Sequence, residues 1–276
     1  MSRSTTSHEL APATLSETDG VRYLHLGTPW VQGAMRINKP QVLELEYIQR
    51  MMVWMLLRPE AELTRGHAVQ LGLGAAAITR YCHGMLRMRG TAVELNPSVI
   101  DACRLYFRLP KDSARLQVLH MNATDYVADA ARAQTAQVLC VDLYDHDAAS
   151  PVLDSELFYR RCRRLLDESG VMSVNLFGRD ASFERSAQRI AAAFGADRVW
   201  SLQPTKEGNT IVFAIRQGAP GEPLPEGSPL PDQATLAARA QNIETRFGLP
   251  ARKWIRMIRP IVPLPTTLPL PLQPLA

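Results

Sequence analysis

The chain has no paired cysteines, no long apolar run and little net charge. Its four cysteines are scattered singly, without a Cys-x-x-Cys pair, which fits reduced thiols in the cytoplasm. No apolar run approaches the roughly 18–20 residues that span a bilayer, and residues 1–19 lack the apolar core of a signal peptide. A net charge of +4 over 276 residues gives no case for nucleic-acid binding. We therefore expect a cytoplasmic protein that binds neither nucleic acid nor a membrane.

Composition also bounds the organisation of the chain. The histidines share no metal-ligand spacing with the cysteines or acids, so no metal site is expected. A chain that is 46% hydrophobic can bury one large core with appendages, and twelve of the twenty prolines follow residue 217. We expect a disordered leader (1–19), a small β and helix region (20–62), a nucleoside-binding catalytic domain (63–217), and a proline-rich tail with one helix (218–276).

Between residues 68 and 216, strand-like and helix-like segments alternate. Strands separated by helices of about a dozen residues predict an α/β fold with a parallel, doubly wound sheet. Pro204 and Gly208 fall between the last two strands, which lie close together, so the final strand is expected to run antiparallel. The seven predicted strands are 68–72, 90–94, 116–119, 137–142, 170–176, 197–202 and 210–216.

Three of these strands end in residues that can carry chemistry. The first breaks into Gly72 and Gly74, the second ends on Glu94, and the fourth ends on Asp142 and Asp145. In open α/β sheets, ligands bind at the carboxyl ends of the strands. Glycines let backbone N–H groups approach a ligand, and an acid after the second strand can accept both ribose hydroxyls. Two nearby carboxylates repel each other unless a cation or a shared proton lies between them. A cationic amine substrate would supply that positive charge.

Each of these interpretations has a simpler alternative. The glycines also fit an ordinary strand-to-helix turn. Asn122, followed by Ala123 after the third strand, can contact an adenine edge or cap the next helix. Asp145 can begin a turn, which leaves Asp142 alone at the cleft. Tyr144 between the two acids can form a cleft wall or an aromatic lid.

Three segments together resemble the spermidine/spermine synthases, the polyamine aminopropyltransferases. They are Gln-Leu-Gly-Leu-Gly-Ala at 70–75, the stretch 92–107 and Cys-Val-Asp-Leu-Tyr-Asp at 140–145. The most specific part is Glu-x-Asn-Pro-x-Val-Ile at 94–100. The resemblance covers roughly residues 21–216. It implies a methyltransferase-like Rossmann fold, with a seven-stranded, mostly parallel sheet preceded by a small β-hairpin region.

The resemblance also implies roles for individual residues. Glu94 would bind the ribose of decarboxylated S-adenosylmethionine, the co-substrate, and Asn122 with Ala123 would contact its adenine. Asp142 and Asp145 would handle the attacking amine, with Tyr144 beside them. Gln32 and Tyr47 would lie near the aminopropyl group and the amine. We further expect a homodimer.

The sequence departs from the family pattern in the region that would hold the amine. The acidic pair that precedes the tyrosine in the family is replaced before Tyr47 by a differently phased segment, 42–46. The leading expectation is transfer of an aminopropyl group to a putrescine-like amine, with release of methylthioadenosine. An S-adenosylmethionine-dependent methyltransferase and a non-catalytic nucleoside-binding protein on the same fold are the alternatives.

Overall fold

A computed structural model describes residues 10–143, 153–177, 181–217 and 230–261. The first three strands form a small antiparallel sheet in the order β1-β2-β3, and the other eight form the central sheet. The strands are β1 Ala13–Thr18, β2 Val21–Leu26, β3 Gly33–Arg36, β4 His67–Leu71, β5 Arg89–Glu94, β6 Leu116–His120, β7 Ala136–Val141, β8 Leu166–Phe177, β9 Val199–Leu202, β10 Asn209–Ile215 and β11 Ile258–Pro260.

Helices cover both faces of the central sheet. Those of the described residues are α1 Glu46–Met51, α2 Trp54–Leu57, α3 Ala77–Arg80, α4 Pro97–Tyr106, α5 Ala123–Ala128, α6 Glu156–Leu165, α7 Ala181–Phe194, α8 Gln233–Phe247 and α9 Ala251–Met257. A single π turn, Tyr81–Met85, continues α3. None of the described helices combines the length and the apolar character needed to cross a membrane.

The central sheet has the order β11-β9-β10-β8-β7-β4-β5-β6. Strands β4 to β8 pair in parallel, whereas β10 pairs antiparallel with β8 and with β9. The chain moves outward from β4 through β5 to β6, and then returns to place β7 on the other side of β4. The sheet therefore reverses its order between β4 and β7, which is where open α/β sheets form a ligand crevice.

Alternating burial explains why the strands are apolar on both sides. Along β7, Val138 and Cys140 join one core cluster, while Leu139 and Val141 join another on the opposite face. Successive strand side chains point to opposite faces, so a sheet covered by helices on both sides favours nearly continuous apolar runs. This confirms the predicted α/β fold with its mostly parallel sheet, and all seven predicted strands are present.

Two predicted segments differ from the structure. Residues 13–18, assigned to the disordered leader, form β1, because Asp19 and Gly20 both adopt positive φ and close a tight hairpin with β2. The described part of the tail, 230–261, contains two helices and an eighth strand of the central sheet, where one helix was predicted. The basic segment after Pro250 forms α9 because Trp254 is buried, and β11 then pairs with β9.

Candidate active site

The glycine turn after β4 is held in shape by contacts that exclude larger side chains. Gly72 has a φ of +84°, and a Cβ there would lie 2.1 Å from the carbonyl oxygen of Asp142. The backbone N–H of Asp142 in turn donates to the carbonyl of Leu71 at 2.9 Å. Gly74 has a φ of +50° and approaches the backbone oxygen of Gln32. The turn therefore sits directly between the predicted residues Asp142 and Gln32.

Glu94 ends β5 and binds this turn directly. One carboxylate oxygen accepts the backbone N–H of Leu73 at 2.9 Å, and the other accepts that of Asn96 at 2.8 Å. Burial raises the pKa of Glu94, while the N–H groups of Asn96 and Leu73 lower it. A carboxylate offers roughly four acceptor positions. These two bonds therefore orient Glu94 and leave it able to accept further hydroxyl groups.

Asp142 follows β7, and burial perturbs its carboxylate strongly. Its Oδ1 accepts the side-chain amide of Asn175 at 2.9 Å, and its Oδ2 accepts the hydroxyl of Tyr47 at 3.3 Å. Burial raises its pKa from 3.8 to about 6, against the lowering effect of Asn175 and Tyr47 and with a smaller raising effect from Glu94. The carboxylate is therefore ionised at neutral pH and is a stronger base than an ordinary aspartate.

Gln32 presents an unused donor beside the same turn. Its backbone N–H donates to the carbonyl of Leu24 at 2.8 Å, which fixes the chain where it enters β3. Its side-chain Nε2 is buried without a hydrogen-bond partner among the described residues. A buried amide donor of this kind is stabilised when a ligand supplies an acceptor.

Asn122 lies at the same sheet edge, but its side chain serves the next helix. Its Oδ1 accepts the backbone N–H of Thr124 at 2.8 Å, which caps α5, and Ala123 is buried at the start of that helix. The preceding residue, Met121, donates its N–H to the carbonyl of Glu94 at 3.0 Å. Asn122 and Ala123 are thus next to the ribose-binding candidate, and contact with adenine stays a prediction.

The structure brings six predicted residues into one connected group. They are Gln32, Tyr47, Gly72, Gly74, Glu94 and Asp142. Tyr144 and Asp145 lie outside the described residues. Among the residues that the structure describes, no cluster of three or more His, Cys, Asp or Glu side chains could hold a metal ion.

Two buried polar residues support the site and were not predicted. Asn175 on β8 is 4% exposed and contacts Asp142, as described above. Gln70 on β4, also 4% exposed, donates to the carbonyl oxygens of Gly72 and Leu73 at 2.7 and 3.2 Å. The signal in the sequence is the same for both, since each is an amide residue that follows apolar strand residues just before the carboxyl end of its strand.

Curated relatives are similar over most of the chain. The polyamine aminopropyltransferase of Neisseria meningitidis is 28% identical over 236 residues, which cover 85% of this chain and 84% of that protein. The polyamine aminopropyltransferase of Chromobacterium violaceum is 29% identical over 246 residues, which cover 89% of this chain and 88% of that protein.

Solved structures support the fold. A probable spermidine synthase from Corynebacterium glutamicum matches with a TM-score of 0.66 at 17% identity, over 94% of this chain and 95% of its own. A spermidine synthase bound to the transition-state analogue AdoDATO matches with a TM-score of 0.53 at 18% identity, over 86% and 88% of the two chains. Human methyltransferase-like protein 13 in complex with SAH matches with a TM-score of 0.58 at 22% identity, over 74% and 92% of the two chains.

A family model identifies the group to which these features belong. The model for the spermine/spermidine synthase domain matches residues 83–223, which is more than half of the chain. The match includes the strand ends that carry Glu94 and Asp142, and it agrees with the resemblance found in the sequence. The chain therefore belongs to the spermine/spermidine synthase domain family.

Proposed function

We propose that this protein is an aminopropyltransferase of polyamine biosynthesis. It transfers the aminopropyl group of decarboxylated S-adenosylmethionine to an amine and releases methylthioadenosine. The observation that carries the proposal is the desolvated carboxylate of Asp142, which accepts the hydroxyl of Tyr47, while the backbone carbonyl of the same residue packs against Gly72 of the glycine turn. The curated relatives named polyamine aminopropyltransferase support the same activity.

The aminopropyl donor, decarboxylated S-adenosylmethionine, fits the group of residues around the glycine turn. Glu94 takes the ribose hydroxyls with its remaining acceptor positions, and the turn lets the nucleoside approach the backbone at Gly72 and Gly74. Gln32 uses its unpartnered Nε2 toward the donor. Asn122 and Ala123 contact the adenine from the end of β6, as the resemblance implies.

Asp142 prepares the acceptor for attack. An alkylamine has a pKa of about 10, so it arrives as an ammonium ion and is attracted to the ionised carboxylate. The nitrogen must lose a proton before its lone pair can attack, and in this proposal Asp142 orients the amine and accepts that proton. The new C–N bond forms at the carbon next to the sulfonium as the C–S bond breaks, and methylthioadenosine leaves with the bonding electron pair.

The identity of the acceptor depends on the acids that surround Tyr47. Glu44 is engaged by Arg36 through two hydrogen bonds of 2.6 and 3.0 Å. Glu46 accepts from Arg50 at 2.6 Å. Because arginines already neutralise both glutamates, neither supplies the second anionic position that a diamine would use. Asp145 and Tyr144 keep, as proposals, the roles that the resemblance implies.

Calorimetry and a product assay test this proposal together. Methylthioadenosine, S-adenosylmethionine and its decarboxylated form are titrated into the protein, and Glu94→Gln should weaken methylthioadenosine binding by about 1–3 kcal/mol. The matched control is Glu244→Gln, since Glu244 also accepts a backbone N–H, from Arg252 at 3.0 Å, but lies on α8. It should leave binding unchanged.

The product assay uses mass spectrometry with the decarboxylated donor and a panel of putrescine, cadaverine, spermidine and a monoamine. Release of methylthioadenosine with a new secondary amine supports the proposal. Methyl transfer from intact S-adenosylmethionine would identify a methyltransferase instead. Nucleoside binding without turnover of any donor would identify a non-catalytic binding protein.

We also propose the wider organisation that the sequence predicts. The protein acts in the cytoplasm as a homodimer, without nucleic acid, membrane or metal, and residues 63–217 form its catalytic domain. Light scattering behind size-exclusion chromatography measures the mass, and a species of 30.7 kDa would reject the homodimer because that is the mass of one chain.

A further inference from the structure

Two asparagines form a chain of hydrogen bonds that ends on Asp142. The side-chain Nδ2 of Asn209 donates to the Oδ1 of Asn175 at 3.1 Å. The Nδ2 of Asn175 donates to the Oδ1 of Asp142 at 2.9 Å. The three residues belong to β10, to β8 and to the end of β7, which are neighbours in the central sheet. The side chains therefore connect three adjacent strands at one edge of the sheet.

Both hydrogen bonds of this network are donated in the same direction, toward Asp142. An asparagine side chain has a donor NH2 group and an acceptor oxygen. Because the NH2 group of Asn209 donates to the oxygen of Asn175, the NH2 group of Asn175 is directed toward Asp142. Asn209 is itself fixed by Thr205, which receives its backbone N–H at 3.2 Å and donates an N–H to its carbonyl at 2.8 Å. The turn between β9 and β10 thus fixes the backbone from which the side chain of Asn209 reaches Asn175.

The direction matters because Asp142 has no cationic partner among the described residues. Tyr47 from α1 and Asn175 from β8 donate to it, Glu94 on β5 repels it, and Cys140 lies on its own strand. Burial is the largest influence and raises its pKa, and the hydrogen bond from Asn175 is the largest one that opposes it. A donor to a carboxylate favours the ionised form.

We propose that Asn209 and Asn175 are positioning residues, which keep the carboxylate of Asp142 ionised and turn its free lone pairs toward the amine. The importance of this arrangement for turnover rests on the proposed function. The state of the carboxylate does not, because it can be measured on the ligand-free protein.

The direct test is an NMR titration of Asp142 in protein labelled with ¹³C at the aspartate carboxyl groups, with the signal assigned by Asp142→Asn. Asn175→Leu removes the donor and should raise the pKa of Asp142 by on the order of one unit. Asn209→Asp keeps the size but offers only acceptors, so it reverses the amide of Asn175 and should raise the pKa of Asp142 at least as much. Asn209→Leu should give a smaller rise.

A matched control comes from the same strand. Ser173 on β8 is fully buried and contacts Cys140 on β7 at 3.5 Å, two positions before Asn175. Ser173→Ala removes a buried polar contact between the same two strands without touching Asp142. It should change stability slightly and leave the titration of Asp142 where it is.

Kinetics give the second readout. With one amine for all variants, the logarithm of kcat/KM should rise with slope one below the pKa of Asp142 and level off above it, since the amine binds as an ammonium ion and only the ionised carboxylate can accept its proton. The break between the rising and the level part should move upward in Asn175→Leu and Asn209→Asp. A structural role alone would lower the rate without moving the break.

The outcomes separate the two proposals. An unmoved titration of Asp142 in folded Asn175→Leu and Asn209→Leu overturns the positioning role, whether or not the protein is active. If Asn175→Leu does not fold, the half-buried Asn209 supplies the decisive pair, and an unmoved titration in both its variants overturns the role equally. If the variants shift the titration of Asp142 but the wild-type protein shows no turnover, the proposed function is rejected and the positioning role is kept.

Discussion

Asp142→Asn should abolish turnover and yet stabilise the folded protein at neutral pH. The pKa of Asp142 lies at about 6 in the folded protein against 3.8 for a free aspartate. One pKa unit corresponds to ~1.4 kcal/mol, so holding this carboxylate ionised costs the folded state on the order of 3 kcal/mol. An asparagine carries no charge, and it can still accept from Asn175 and donate to the hydroxyl of Tyr47.

The pH dependence of this gain follows from the two protonation states. Below about pH 4, Asp142 is protonated in both the folded and the unfolded chain, and the substitution gains nothing. Between about pH 4 and 6, the unfolded chain has released a proton that the folded protein keeps, so the wild type loses stability as the pH rises. Above about pH 6 both states are ionised, and the advantage of Asp142→Asn reaches its full value.

Urea denaturation of both proteins between pH 4 and 8 measures this difference, with turnover assayed at pH 8. The control is Asp154→Asn, because Asp154 accepts from Ser186 at 2.9 Å and is paired with Arg189. That variant should lose about 1–3 kcal/mol at pH 7. The reasoning is refuted if Asp142→Asn is less stable than the wild type at pH 7, or if the difference between them does not change with pH.

Two further substitutions test the turn and the tail. Gly72→Ala places a methyl group 2.1 Å from the carbonyl oxygen of Asp142, so it should weaken methylthioadenosine binding at least tenfold by calorimetry. Gly248→Ala, with positive φ but open space, should lower the free energy of unfolding by only about 1–2 kcal/mol and leave binding intact. Trp254→Ala on α9 removes a side chain that is 1% exposed and should lower the free energy of unfolding, measured in urea, by about 3–5 kcal/mol. The control Trp30→Ala, at a side chain that is 56% exposed, should change the free energy of unfolding little.

The strands of the central sheet could be predicted because each is an apolar run between breaks. A parallel strand buried on both faces is apolar at most positions, so its length and ends are visible in the sequence. The short edge strand β11 could not be found this way. Its residues Ile258–Pro260 join the sheet because α9 packs against the core and delivers them to β9. That contact depends on the tertiary fold.

Strand β1 was not predicted either, for a different reason. Its residues Ala13–Thr18 are mostly exposed and rich in serine and threonine, so composition alone resembled a disordered leader. The Asp19–Gly20 pair was the available signal, since this dipeptide favours the tight turn that joins two antiparallel strands. Ala13 and Leu15 then pack against the core cluster that includes α4.

The candidate site likewise contains residues that the sequence predicts and a residue whose contact depends on the tertiary fold. Glu94, Gly72 and Asp142 could be predicted because they end or directly follow strands, and the carboxyl ends of parallel strands meet at one edge of the sheet. Asn175 could not be assigned to Asp142, because their contact depends on how β8 is aligned with β7. In the structure Val141 is opposite Val174, which places Asn175 level with Asp142. A shift of one residue would turn Asn175 to the other face of the sheet.

The glycine turn shows how side chains can replace glycines. Residues 75 and 76 are alanines, and Ala76 adopts a φ of +57°, in the left-handed region that favours glycine. The buried amide of Gln70 binds the carbonyl oxygens of Gly72 and Leu73, and Thr79 orients that amide by donating to its oxygen at 2.6 Å. With these carbonyls turned inward to Gln70, the N–H of Leu73 faces Glu94. The turn thus keeps the donor orientation that a nucleoside site requires, although only two of its residues are glycine.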